Sequence, residues 1–214
     1  MNNNAKPIIF LAFANDRGGE IGYLRNLPEE ARQVHAILDA AAQDGLCEVV
    51  LRQNVTVEAL LDVFQDGRYR NRIALFHYGG HAESYELLLE TAAGQTAVAD
   101  AGGLAAFLSR QRGLQLVFLN GCSTQPQVQG LLDAGAAAVI ATAQAIDDTV
   151  ATDFAVRFYK GLAGGAAIAT AFHEAEAACR TAHGGRPRGV YVKQVTSSTT
   201  RRAVADRWPW ALTP

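Results

Sequence analysis

Short apolar runs alternate with longer amphipathic stretches along the chain. Ile8–Ala14, Cys47–Leu51, Ile73–His77, Leu116–Asn120 and Ala137–Thr142 have the length and composition of buried strands. Between the first two, Leu27, Ala31, Val34, Ile37, Leu38 and Ala41 recur at helical spacing and form one apolar stripe. Pro28 sits in the first turn, where no backbone N–H is needed, and Gly45 ends the segment. A second helix is expected from Thr56 to Gly67 through Val57, Leu60, Leu61 and Phe64, a third over Leu104–Gln111, and a short fourth over Gln127–Asp133 before Gly135. Asp148–Ala182 reads as two helices parted at Gly164–Gly165. Tyr85–Glu90 and Thr96–Ala99 flank a turn and form a small hairpin, and Gly189–Val195 reads as a last strand.

Strand and helix in alternation imply βαβ units and a parallel sheet covered on both faces. In such sheets ligands bind beyond the carboxyl ends of the strands, where strand order reverses. With 214 residues, 49% apolar and 19% charged, the chain is long enough for one domain with a full core and too apolar to be disordered. Residues 1–195 are assigned to that domain and 196–214 to a C-terminal tail or a linker to further domains. A net charge of −2 makes no case for nucleic acid or an anionic membrane as a direct partner, and the basic residues near the C-terminus suit a solvated surface. No apolar run approaches the roughly 20 residues of a membrane span. Cys47, Cys122 and Cys179 lie far apart without disulfide or zinc spacing, which fits a reducing cytoplasm.

Two strand ends carry chemistry. The third strand breaks at Gly79-Gly80 and is followed by His81; the fourth breaks at Gly121 and is followed by Cys122. Adjacent parallel strands lie ~4.8 Å apart, so rim residues on neighbours bring a thiol and an imidazole together. A thiol is the common nucleophile with appreciable anion near neutrality, and a nearby imidazolium favours that anion. Thiol acyl transfer requires this pair.

His77-Tyr-Gly-Gly-His81-Ala together with Leu119-Asn-Gly-Cys122-Ser-Thr resembles the CHAT family of caspase-like peptidases, relatives of caspases and separase. Support comes from Phe10–Asn15 leading to Leu27-Pro-Glu-Glu, and from Gly135-Ala-Ala-Ala-Val-Ile before Asp147-Asp148. The resemblance covers roughly residues 7 to 195. It implies an α/β, three-layer caspase-like fold with a mostly parallel sheet of about six strands and helices on both faces. It makes Cys122 the nucleophile and His81 the general base of a cysteine endopeptidase, with the oxyanion held by the backbone N–H groups of Ala82 and Cys122. No cofactor, no metal and no third acidic residue are implied. Asn120 matches a position that lines the substrate pocket in caspases. By topology Asp16 and Arg17 after the first strand, and Asp147, Asp148 and Asp153 after the fifth, flank the same pocket as substrate-binding candidates. They offer both charge signs, and the preferred residue at the cut stays open. The implied setting is a regulated effector of bacterial antiviral defence or cell death, acting on a protein or peptide substrate beside a sensor or activator module in cis or trans.

Blander readings stand beside these. Cys47 and Cys179 read as structural, His77 as a strand residue packed under the site, and His173 and His183 as helix-surface or helix-end residues. His77, His81 and Glu83 straddle a Gly-Gly kink and lack a completing ligand cluster for a metal. Gly79-Gly80 belongs to neither dinucleotide nor P-loop patterns, and Asn-Gly-Cys-Ser-Thr lacks the second glycine of a nucleophile elbow. The rival functions are a catalytically silent caspase-like interaction module and a flavodoxin-like small-ligand binder.

Overall fold

The first strand, β1 (Ile8–Ala14), is buried along its whole length. Ile8, Phe10, Ala12 and Ala14 enter one core, and Ile9, Leu11 and Phe13 enter the other. A strand that fills two cores must read as an unbroken apolar run rather than an alternating one. The computed structural model describes residues 6–19, 21–183 and the backbone of 210–213. After β1 come α1 (Leu27–Gln43), β2 (Glu48–Arg52), α2 (Val57–Gln65) and β3 (Ile73–Gly80). A small antiparallel sheet follows, made of β4 (Ala82–Glu83), β5 (Glu86–Glu90) and β6 (Thr96–Asp100). The remainder is α3 (Ala101–Leu108), β7 (Leu116–Asn120), α4 (Val128–Asp133), β8 (Ala138–Thr142), α5 (Asp148–Ala163), α6 (Ile168–His183) and β9 (Trp210–Thr213).

The main sheet has the order β2-β1-β3-β7-β8-β9, parallel except for β9. It is the mostly parallel, two-face-covered sheet expected. Helices α1, α5 and α6 cover one face, where Phe118 packs edge-on to Phe154 and Phe158 at 5.9 and 5.5 Å between centroids. Helices α2, α3 and α4, with Leu87 and Leu89 of β5, cover the other. Chain order runs outward from β1 in both directions, so the reversal lies between β1 and β3. The loops after β1, β3 and β7 therefore meet at one rim.

Local signals explain most boundaries. Thr56 caps α2, its hydroxyl accepting from the Ala59 N–H at 3.1 Å. The glycine pair 164–165 separates α5 from α6, with Gly165 at φ +88°. The largest shifts, of three residues, fall at both ends of α3 and at the end of β3. Helix α3 starts at Ala101, three residues before the expected Leu104, because the Asp100 carboxylate caps it by accepting from Gly103 N–H; the two glycines in its first turn hide that start from a propensity reading. Strand β3 runs on past His77 to Gly80 because Tyr78, Gly79 and Gly80 pair with Ala12, Phe13 and Ala14. Within the stretch read as a tail, Trp210–Thr213 pairs antiparallel with β8. The strand expected over 189–195 lies outside the described residues. Among the described residues no helix is long and apolar enough to cross a membrane.

Candidate active site

Three glycines let the strand ends approach. A Cβ on Gly79 would lie 2.7 Å from the Phe13 ring, and one on Gly80, at φ +156°, 2.5 Å from the Ala14 carbonyl oxygen. A Cβ on Gly121 would lie 2.8 Å from both Gly80 O and the Ala82 methyl. At Gly80 and Gly121 the close neighbour is backbone, and at Gly79 it is a packed ring, so only glycine fits. The last registered pair of β3 and β7 is Gly79 with Asn120. His81 and Cys122 each follow two residues later, just past the ends of these adjacent strands. Ser123 then turns the chain at φ +54°, a left-handed conformation that costs a non-glycine residue about 1 kcal/mol.

His81 is held at both ends. Its carbonyl accepts from the Leu88 N–H at 3.0 Å and lies 2.6 Å from the Tyr78 hydroxyl. That hydroxyl is also 2.7 Å from Leu88 O, and its single proton is shared between the two carbonyls. Burial pushes the Tyr78 phenol far above its ordinary value, so it stays a neutral donor. At the ring, Nε2 lies 2.6 Å from the Gly22 carbonyl oxygen. A carbonyl only accepts, so Nε2 carries the proton and the neutral ring presents Nδ1 as its base.

Gly22 is placed by the loop after β1. The Asp16 carboxylate accepts from Gly19 N–H at 2.9 Å, from Gly22 N–H at 2.8 Å and from Ile21 N–H. These amides, Gly22 foremost, hold the Asp16 carboxyl below its ordinary value, with a smaller contribution from His81. Asn15 closes the loop, its amide donating to Leu24 O at 2.9 Å and accepting from Leu24 N–H at 2.8 Å.

Cys122 is partly exposed, whereas Cys47 and Cys179 are buried. Burial raises the Cys47 thiol and pushes Cys179 up to about 12. The backbone around Cys122 is fixed from β8: the Thr142 hydroxyl donates to Gly121 O, and Thr142 N–H donates to the Thr124 hydroxyl at 2.9 Å. In the small sheet, Ala82 stands opposite Leu87 while Leu88 N–H donates to His81 O. That register places Ala82 in a non-hydrogen-bonded pair, so its N–H points out of the ladder. An open groove of about 350 Å³ begins there, lined by Ala82, Glu83, Ser84, Tyr85, Glu86 and Ser123. Gln127 braces its wall, its amide donating to Glu83 O at 3.1 Å.

Each charged or polar residue expected around a substrate pocket also has a partner within the fold. Asn120 is 4% exposed, its amide donating to Glu30 Oε1 at 2.9 Å and Ala151 O at 3.3 Å. His77 lies in the same buried layer, 3.2 Å from Glu30 and against Phe13, Phe118 and Tyr159. Asp16 faces its own loop, as above, and Arg17 pairs with Glu90. Asp147 caps α5 by accepting from Thr149 and Val150 N–H, and Asp148 accepts from Asn26 N–H at 2.8 Å, joining α5 to the start of α1. Asp153 pairs with His183 at 2.8 Å. Loop carboxylates near a helix start or a turn satisfy backbone amides first, and position in sequence does not distinguish that use from substrate binding.

The Gly22 carbonyl, Tyr78, Thr142, Glu90 and Gln127 escaped the sequence reading. Tyr78 lies within His77-Tyr-Gly-Gly-His81, where a strand tyrosine has the residue type of an ordinary core position. A backbone carbonyl leaves no trace in residue type, although Asn15-Asp16 followed by glycines marked an unusual turn.

The CHAT domain family model matches residues 2–209. No curated protein matches the sequence. Among solved structures, a secreted C11 cysteine protease from Bacteroides thetaiotaomicron, in complex with an irreversible peptide inhibitor, is similar at TM-score 0.60 and 11% identity. The likeness covers 81% of this chain but 58% of that protease, less than two thirds of its length. The Drosophila initiator caspase Dronc is similar at TM-score 0.58 and 10% identity, over 97% of this chain and 78% of that one. At such identities the likeness is one of fold. With a caspase-like fold and a family model that spans nearly its whole length, the chain belongs to the CHAT domain family.

Proposed function

We propose that the protein is a cysteine endopeptidase acting through Cys122 and His81. The observation that carries this reading is the hydrogen bond from His81 Nε2 to Gly22 O, which leaves Nδ1 as the base of a ring at the rim that also carries the partly exposed Cys122. The Cys122 sulfur attacks a peptide carbonyl as its proton passes to His81 Nδ1. The carbonyl oxygen becomes an oxyanion between the N–H groups of Ala82 and Cys122, donors of a kind that contribute about 3–4 kcal/mol each. His81 Nδ1–H then protonates the leaving amine, and the C–N bond breaks to leave a thioester. Water, deprotonated by Nδ1, attacks that thioester, and the thiol regains its proton.

The substrate is a protein segment seated in the groove from Ala82 to Glu86. The protein acts as a regulated effector of bacterial defence or cell death, and a sensor or activator, in cis or trans, orders the rim loops. The exposed Ile21 and Tyr23, on either side of Gly22, support regulation at that rim, because a partner covering them touches the residue that holds His81.

Mass spectrometry after brief exposure to iodoacetamide tests the dyad. Preferential labelling of Cys122 near neutral pH, lost in His81→Ala, is the expected outcome. Equal, slow labelling of Cys122 in both proteins would mean an inactive resting state or a silent interaction module, and the same result with an activator present would overturn the reading.

A further inference from the structure

Glu90, the last residue of β5, is 1% exposed and joins three segments of chain. Its backbone N–H donates to Val55 O at 2.9 Å, and it forms a parallel bridge with Thr56, at the entrance of α2. Its Oε1 accepts from Asn15 N–H at 3.1 Å, and its Oε2 from the Arg17 Nε–H at 2.6 Å. A buried carboxylate is tolerated only when paired and hydrogen-bonded, and these two donors meet that need. The Arg17 guanidinium is half-exposed and lies across the β5–β6 turn, 3.3 Å from where a Cβ on Gly94 would stand. Gly94 thus leaves room for it.

The consequence concerns His81. Two residues before Glu90, Leu88 holds the His81 carbonyl. Glu90 grips Asn15 and Arg17, the start of the loop whose far end brings Gly22 O to the His81 ring. One strand therefore controls both the backbone and the imidazole of the same histidine. We infer that the Glu90–Arg17 pair is a positioning device for the proposed general base: it sets the loop that selects the Nε2–H tautomer of His81. The β5–β6 hairpin is the element through which a displacement reaches the dyad. The inference rests on the peptidase reading for its catalytic meaning, and its structural content stands apart from it.

The test measures the His81 tautomer by ¹⁵N NMR of the full chain, together with the pH profile of Cys122 alkylation. Wild type, Arg17→Ala, Arg17→Lys and Glu90→Gln are compared. The expected result is an Nε2–H ring in wild type and a mixture of tautomers in Arg17→Ala and Glu90→Gln. Alkylation of Cys122 falls about tenfold in these two, the scale on which partners that orient a histidine act, and Arg17→Lys recovers part of the loss. Melting temperatures identify any variant that fails to fold, and the conservative Arg17→Lys and Glu90→Gln then carry the comparison. An unchanged tautomer and an alkylation rate within about twofold of wild type, in folded variants, overturn the inference. If His81 proves irrelevant to Cys122 reactivity while the tautomer still follows Arg17, the peptidase reading fails and the positioning role survives.

Discussion

Gly121 shows how narrowly one residue is constrained. In Gly121→Ala the new methyl would meet Gly80 O and the Ala82 methyl at 2.8 Å, against backbone that β3 and β5 hold in place. Overpacking of this kind costs about 1–3 kcal/mol. Gly121→Ala is therefore expected to fold with reduced stability in chemical denaturation and to lose the His81-dependent labelling of Cys122. Tyr78→Phe is the complementary case. It removes one buried hydroxyl, while His81 O keeps its bond from Leu88 N–H. A loss of about 1–2 kcal/mol is expected by denaturant titration, and a wild-type midpoint would mean that the hydroxyl contributes nothing.

Among the elements, the loop after β1 has a charge-dependent fold. The Asp16 carboxyl is held below its ordinary value by the Gly22, Ile21 and Gly19 amides, and a depressed carboxyl stabilises only in its ionised form. The contribution is present at pH above the ordinary value of 3.8 and is lost as pH falls through the lower folded value. Amide protection at Ile21 and Gly22 is expected to persist at neutral pH and collapse in acid below that range. Asp16→Asn, lacking the charge, is expected to show weaker protection with no such acid step. An acid step retained in the variant would assign it to another group. The helix layer over β7 behaves differently, because it depends on packing rather than charge. Phe118 is fully buried against Phe154, Phe158 and Tyr159, so Phe118→Ala is expected to cost about 3–5 kcal/mol in global stability, read by chemical denaturation.

For the whole molecule, the sheet sorts three chemically identical thiols into different fates. Cys47 and Cys179 lie in the core under α1, α5 and α6, where desolvation disfavours the thiolate, while Cys122 stands on the rim. Native protein is expected to take up one alkyl group per chain rapidly, at Cys122, and the denatured chain three. Rapid labelling at Cys179 would mean that α6 opens readily.

The architecture was legible because its causes are local or periodic. A strand buried on both faces must be continuously apolar, a helix must carry its stripe at helical spacing, and turns need glycine, so β1, α1, the β5–β6 hairpin and the α5–α6 break could all be read. The positions of His81 and Cys122 followed from the same grammar, since each directly follows a glycine break at a strand end. Partner choice across the fold was decided by tertiary structure. A carboxylate in a loop is chemically the same whatever it meets, and Asp16, Asp147 and Asp148 each accept from backbone amides. Asp16 and Asp147 find theirs within their own turn, whereas Asp148 meets Asn26, which a distant segment brings within hydrogen-bond reach. For the same reason the Gly22 carbonyl, 59 residues from His81 in sequence, became visible only once β1 and β3 lay side by side.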